Sequence, residues 1–267
     1  LGDLFGSGMA NMLILALVDL MPPRREVLRR ATLDHALAAC LAIALSAIAA
    51  TALLAPSGRL VAGVSVESIV LLGAYLLGTR AVYRHAMRDF GPAQAAPGSS
   101  EGSAPDGTPT LGRALIGFAV AALVTLAAAP AFARAAKDIA ELTGLGQTFV
   151  GTWLVGLATS LPELVASVTA VRMGAFDLAV GNLLGSNAFN VSILIWVDLA
   201  YPGGSIFVDA SPTHVLTVVF GIILMALGLA AIVYRAKKRF AMLEPDSALI
   251  VLTYALAIWM LYLRRGG

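Results

Sequence analysis

Residues 181–199 read GNLLGSNAFNVSILIWVDL, and residues 2–20 read GDLFGSGMANMLILALVDL, the same frame 179 positions earlier. Ten of the 19 paired positions are identical, and they include small and polar residues: Gly2/Gly181, Gly6/Gly185, Ser7/Ser186, Asn11/Asn190 and Asp19/Asp198. Shared hydrophobicity alone does not select those residue types, so the two stretches read as copies of one repeat.

The solvent around both copies is lipid. The 267 residues are 59% hydrophobic and 13% charged, with a mean hydropathy of +0.86, outside the range of soluble domains. Crossing about 30 Å of hydrocarbon takes roughly 17–25 apolar residues. Eight such runs are expected: Leu4–Leu20, Ala36–Ala55, Leu60–Tyr83, Ala114–Phe132, Thr148–Val171, Leu178–Val197, Val215–Tyr234 and Leu249–Leu263. Runs this continuously apolar satisfy their backbone amides as helices rather than as strands of a barrel. The expected fold class is an all-α polytopic membrane protein.

Charge orients it. Thirteen Lys and Arg residues, among them Arg24, Arg25, Arg29, Arg30 and Arg172, fall on one side of these spans, and five, among them Arg134 and Lys137, fall on the other. The positive-inside rule makes the first side cytoplasmic and sends the C-terminus outside. Five spans separate the two copies in a chain that alternates direction, so the repeat is inverted. Inverted repeats are an architecture of secondary transporters, with the substrate site near the midplane where the repeats meet.

Several other functions are disfavoured. A net charge of +2, carried at membrane edges, gives no nucleic-acid surface. Cys40 is single and lies in an apolar run, where it is expected to be a small packed residue. His35, His85 and His214 sit near span ends without metal-ligand spacing. The Pro/Gly/Ser/Ala-rich stretch 90–112 is too polar to insert and is expected to be a flexible cytoplasmic linker between halves 1–89 and 113–267; its Glu101 and Asp106 lack EF-hand spacing. Leu1 is not a Met and stands beside the first repeat motif, so part of the first half is expected to precede it.

The most unusual span is TFVGTWLVGLATSLPELVASVTAV (Thr148–Val171). Its Glu163 is a mid-membrane carboxylate, which costs roughly 3 kcal/mol or more unless paired, neutralised or bound to a cation. Pro162 has no N–H to donate, so carbonyls near Gly156, Leu157 and Ala158 are expected to be freed. Thr159 and Ser160 stand four and three residues before Glu163, which on a continuous helix puts their hydroxyls on its face. On the next span Ser186 and Asn190 repeat that four-residue spacing, and Gly181 and Gly185 permit close helix approach. Hydroxyls, amide, carboxylate and carbonyls without Cys or His suit hard cations such as Ca2+ and Na+. Interhelical hydrogen bonding is the structural alternative for each hydroxyl. Glu67, the other in-span carboxylate, is expected about two turns from the outer end of its helix, reaching the interface.

In ATSLPELVAS (Ala158–Ser167) and GNLLGSNAFN (Gly181–Asn190) the chain resembles the calcium/cation exchanger superfamily, and more closely its prokaryotic sodium/calcium exchanger branch. The resemblance implies two inverted repeats and ten helices, with the first span here matching the third and the first-repeat counterpart of Glu163 lying about 17 residues before Leu1. It implies Thr159, Ser160, Glu163, Ser186 and Asn190 as second-repeat cation ligands with the Gly156 carbonyl, and Ser7 and Asn11 as first-repeat ligands. Two departures stand out: GSN becomes GSG at Gly8, and Asn190 occupies a position where several sodium/calcium exchangers carry Asp.

The expected function is antiport of Ca2+ against Na+ by alternating access, with no cofactor beyond the transported ions. Ca2+/H+ exchange and an inactive membrane relic or scaffold are the alternatives, and no enzyme motif accompanies Glu163. The bilayer is the expected partner, oligomeric state is open, and the expected location is a bacterial inner (plasma) membrane.

Overall fold

A computed structural model describes residues 1–21, 27–30, 34–89, 111–234 and 245–264. The expected linker falls largely outside the described residues. In chain order the elements are α1 (Gly2–Leu20), α2 (Val27–Arg30), α3 (Asp34–Leu54), β1 (Leu60–Val61), β2 (Val64–Ser65), α4 (Val66–Asp89) and α5 (Leu111–Thr143). Then follow α6 (Gln147–Val150), a π-helical turn (Gly151–Val155), α7 (Gly156–Thr159), α8 (Leu161–Arg172), α9 (Phe176–Leu199), α10 (Ile206–Asp209), α11 (Thr213–Tyr234) and α12 (Pro245–Leu263). Among the described residues eight helical stretches, the broken α6–α8 counted as one, are long and apolar enough to cross a membrane. The chain is an all-α polytopic integral membrane protein.

The repeat extends far beyond its legible motif. Adding 179 to the start of α2, α3 or α4 gives the start of α10, α11 or α12 (27 to 206, 34 to 213, 66 to 245), and α1 maps onto residues 181–199 of α9. His35 and His214, each the second residue of its helix, are such a pair. Outside the motif the copies share mostly apolar character, which any membrane helix has, and only scattered identities such as this pair mark the frame.

The core lies where α1, α3, α9 and α11 meet. Met9, Met12, Leu15, Leu183, Leu184, Leu194, Leu224 and Ile232 are fully buried there, and Ala39, Ala42 and Ala49 let α3 approach its neighbours closely. By contrast α5 is exposed along most of its length, with Leu115, Ile116, Phe118, Leu123 and Leu126 pointing outward, as a lipid-facing helix requires. Cys40 is also exposed, on the outer face of α3, rather than packed as expected.

One span limit is corrected, and with it the position of Glu67. The third span starts at Val66, not Leu60, because Ala62 and Gly63 (φ 52° and 83°) turn the chain into the short β1–β2 hairpin first. Glu67 is thereby the second residue of α4 rather than two turns inside it, and its Oε1 accepts the Ser57 N–H at 2.5 Å. The first-turn location leaves it at the outer edge of the bundle, where free helix N–H groups favour a carboxylate.

Candidate cation site

The expected continuous helix over Thr148–Val171 is interrupted twice. The π-helical turn carries one residue more per turn than an α-helix, a feature concentrated at functional sites. The helix then breaks at Ser160 (φ −88°, ψ 0°), and Pro162 stands in the first turn of α8, where its missing N–H costs nothing. The Ser160 N–H closes on the Leu157 carbonyl at 3.2 Å, one residue short of the Gly156 acceptor that an α-helix would use. The break also overturns the shared-face expectation: Thr159 is exposed while Ser160 is buried, and the two hydroxyls reach different parts of α1.

Backbone approach brings α1 to this break. A Cβ on Gly6 would fall 2.2 Å from the Thr152 carbonyl oxygen, and one on Gly156 would fall 2.7 Å from the Gly6 carbonyl carbon. Only glycine at both positions allows the contact. It sets Ser7 and Asn11 on α1 against α7 and α8 from one side, while α9 closes from the other.

Hydrogen bonds then join the expected residues. Ser160 Oγ donates to the Ser7 carbonyl at 3.3 Å, and Asn190 Nδ2 donates to Ser7 Oγ at 2.8 Å, which itself donates to the Leu4 carbonyl at 3.1 Å. Ser186 Oγ donates to Glu163 Oε1 across 3.4 Å, and Asn11 Nδ2 donates to Asn187 Oδ1 at 2.9 Å. Thr159 Oγ1 lies 3.3 Å from the Gly156 carbonyl. The bonds form separate groups along the junction of α1, α7–α8 and α9: Ser160, Ser7 and Asn190; Ser186 with Glu163; Asn11 with Asn187; and Thr159 with the Gly156 carbonyl.

Oxygens remain unused inside it. Glu163 Oε2 and Asn11 Oδ1 are buried without a hydrogen-bond donor in the structure. A carboxylate oxygen so placed has lost its water and gained nothing in return, a costly arrangement that a cation relieves. Among the described residues no three His, Cys, Asp or Glu side chains converge, and the polar atoms at this junction are hydroxyl, amide, carbonyl and carboxylate groups.

Two residues of the cluster escaped the sequence reading. Asp3 Oδ1 accepts the Thr159 hydroxyl at 2.6 Å, closer than the Val155 carbonyl that competes for the same proton at 3.0 Å. Its signal was available: an acid one turn before Ser7, where the second copy has Asn182. Asn187, the partner of Asn11, is the repeat counterpart of Gly8, and a Cβ on Gly8 would stand 3.8 Å from its Oδ1. The departure at Gly8 therefore lies where one copy meets the other, and Asn187 occupies the space next to it.

Asp3 and Thr159 face a cavity of about 740 Å³ also lined by Lys137, Tyr201, Asp209 and His214. Beyond the C-terminal end of α9, Tyr201 donates to Asp209 at 2.9 Å, and that bond to a carboxylate raises the phenol above its ordinary pKa.

A family model described as "Sodium/calcium exchanger protein" matches residues 113–263. Sodium/calcium exchanger MaX1 of Methanosarcina acetivorans is 47% identical over 64 residues, 24% of this chain and 18% of the relative. Putative antiporter CaxA of Alkalimonas amylolytica is 33% identical over 102 residues (38% and 32%). Inner membrane protein YrbG of Escherichia coli is 34% identical over 71 residues (27% and 22%). The matched stretches span less than a third of each of these relatives. No solved structure matches the chain significantly.

Proposed function

The chain belongs to the sodium/calcium exchanger protein family, and from that membership we propose that it serves as a secondary antiporter exchanging Ca2+ for Na+ through the cluster around Glu163. The observation that carries this reading is the buried, unpartnered Oε2 of Glu163, on a carboxylate whose Oε1 accepts the Ser186 hydroxyl of α9 and whose helix packs on α1 and α9.

Each group has a part. Glu163 supplies charge and a vacant oxygen. Ser7 Oγ gives its proton to Leu4 and one lone pair to Asn190, which leaves a second lone pair for a cation. Asp3 draws the Thr159 proton away from the Val155 and Gly156 carbonyls, so those carbonyls are available as ligands. Asp3 and Glu163 together carry two negative charges, enough to balance one Ca2+. Two Na+ ions, or two protons, neutralise the same pair. Occupants that exclude one another in a site open alternately to each face produce exchange without a second pathway.

Uptake of 45Ca by proteoliposomes containing the protein tests this. An outward Na+ gradient is expected to drive Ca2+ accumulation at constant pH. Accumulation driven by a proton gradient and indifferent to Na+ assigns H+ as the counter-ion, and uptake dependent on neither gradient overturns antiport.

A further inference from the structure

Two buried carboxylates lie outside the cation cluster, Asp19 and Asp198, both fully buried and 179 residues apart. Asp19 stands at the C-terminal end of α1, eight residues beyond Asn11; Asp198 stands at the C-terminal end of α9, eight residues beyond Asn190. Each receives bonds from two directions. Asp19 Oδ1 accepts the Leu28 N–H at 2.9 Å in the first turn of α2, and Oδ2 accepts the Ser247 hydroxyl at 2.6 Å. Asp198 Oδ1 accepts the Ile206 N–H at 3.0 Å in the first turn of α10, and Oδ2 accepts the Ser65 N–H at 2.9 Å, the Ser65 hydroxyl at 2.6 Å and the Ser68 hydroxyl at 2.9 Å.

The pairing crosses between repeats. Ser68 and Ser247 are also 179 apart, each the third residue of its helix, yet Asp19 of the first copy holds Ser247 of the second and Asp198 of the second holds Ser68 of the first. The two clasps lie at the C-terminal ends of α1 and α9, which the Lys/Arg bias assigns to opposite faces of the membrane. Eight residues of helix span about 12 Å at 1.5 Å per residue. A slip or rotation at either clasp is therefore carried along a stiff rod to Ser7 and Asn11 or to Ser186 and Asn190.

We propose that Asp19 and Asp198 are a two-fold pair of positioning residues, which fix the register of α1 against α9 across the cation site by fastening each helix to the other repeat. The proposal rests on the antiporter reading for the identity of the site, while the clasps themselves are geometric. Their chemistry predicts an asymmetry. In Asp19→Asn the amide meets the Ser247 hydroxyl, which can reverse and accept, while Oδ1 keeps the Leu28 N–H. In Asp198→Asn both carboxylate oxygens face backbone N–H groups, of Ile206 and Ser65, and one of them must face an NH2.

The test is the Ca2+- and Na+-induced rise in melting temperature of the purified protein, titrated to give apparent affinity, in wild type, Asp19→Asn, Asp198→Asn and the milder Ser68→Ala and Ser247→Ala. Asp19→Asn is expected within about twofold of wild-type affinity, Asp198→Asn at least tenfold weaker, and the serine variants in between. In double-variant cycles on the ion-free melting temperature, Asp19→Ala with Ser247→Ala is expected to be non-additive and Asp19→Ala with Ser68→Ala additive. Lower melting temperatures with unchanged affinity in Asp198→Asn and Ser68→Ala overturn the positioning role, and additive behaviour of Asp19 with Ser247 overturns the clasp. A wild type that responds to neither ion overturns the antiporter reading, and the positioning role with it, a failure separate from either of those.

Discussion

Gly6→Ala adds one methyl group at the point where α1 meets the broken helix. Its Cβ would stand 2.2 Å from the Thr152 carbonyl oxygen, and real Cβ contacts below 3.0 Å essentially never occur, so the two backbones must part by at least 3.0 − 2.2 = 0.8 Å. The obstacle is backbone, which cannot swing aside as a side chain can. Overpacking of this kind costs about 1–3 kcal/mol. The larger effect falls on the ions: Ca2+–oxygen distances lie within roughly 2.3–2.6 Å, a window narrower than half the forced displacement. Ser7 and Asn11 move with α1, whereas Ser160 and Glu163 stay with α7 and α8, so the two halves of the cluster separate. Gly6→Ala is expected to insert, to melt at lower temperature and to lose at least tenfold in apparent Ca2+ affinity, read from 45Ca uptake at graded Ca2+. Gly8→Ala, half a turn further along α1, serves as the stability control. Its Cβ meets nothing closer than 3.8 Å and enters a cavity of about 20 Å³, so the fold should be at least as stable as wild type. Gly6→Ala with wild-type melting and wild-type affinity would refute the claim that this backbone contact sets the site.

Three further substitutions probe the charges. Glu163→Gln keeps the shape and the Ser186 bond but removes the charge beside the unpartnered oxygen, so Ca2+ flux should fall at least a hundredfold while membrane insertion persists; near-wild-type flux would remove Glu163 from the site. Asp3→Asn should retain an acceptor for Thr159 yet weaken Ca2+ relative to Na+, measured by competition at fixed Ca2+, and an unchanged selectivity would leave Asp3 with a purely structural bond. Asn190→Asp replaces the donor to Ser7 Oγ with an acceptor, which the Ser7 hydroxyl meets by turning away from Leu4, and adds a negative charge. The number of monovalent ions exchanged per Ca2+ should change, read as a shifted reversal potential.

Much of this arrangement was legible because membranes restrict what a chain can do. Long apolar runs, one misplaced carboxylate at Glu163 and a proline beside it are costly enough in lipid to be conspicuous, and the helices that carry the eight expected ligands pack against one another. What escaped notice depended on contacts rather than composition. The helix break at Ser160 separated Thr159 from Ser160, which spacing alone had placed on one face. Asp3, an acid in the first turn of α1, takes its meaning only from the Thr159 hydroxyl bonded to it across the junction. Glu67 was placed too deep because the Leu60–Val64 segment is as apolar as a helix, although Gly63 and the bonds from Ser65 to Asp198 hold it as a hairpin. Ser68 and Ser247 carried no local signal at all, since only the far aspartate gives each its meaning.

The constant offset of 179 across α1–α4 and α9–α12 also concerns the loops. The two copies keep equal spacing between successive helix starts, even though connecting loops are where insertions ordinarily accumulate. Asp19 reaching Leu28 and Asp198 reaching Ile206 supply the reason: an added residue between them would draw the short helix away from its carboxylate. Drift in length is thus confined to segments outside the duplicated frame, and the Pro/Gly/Ser-rich stretch 90–110 is such a segment. Affinity tags, fluorescent reporters or fusion partners belong there, whereas the same insertion between Asp19 and Leu28 would unfasten a helix from the bundle.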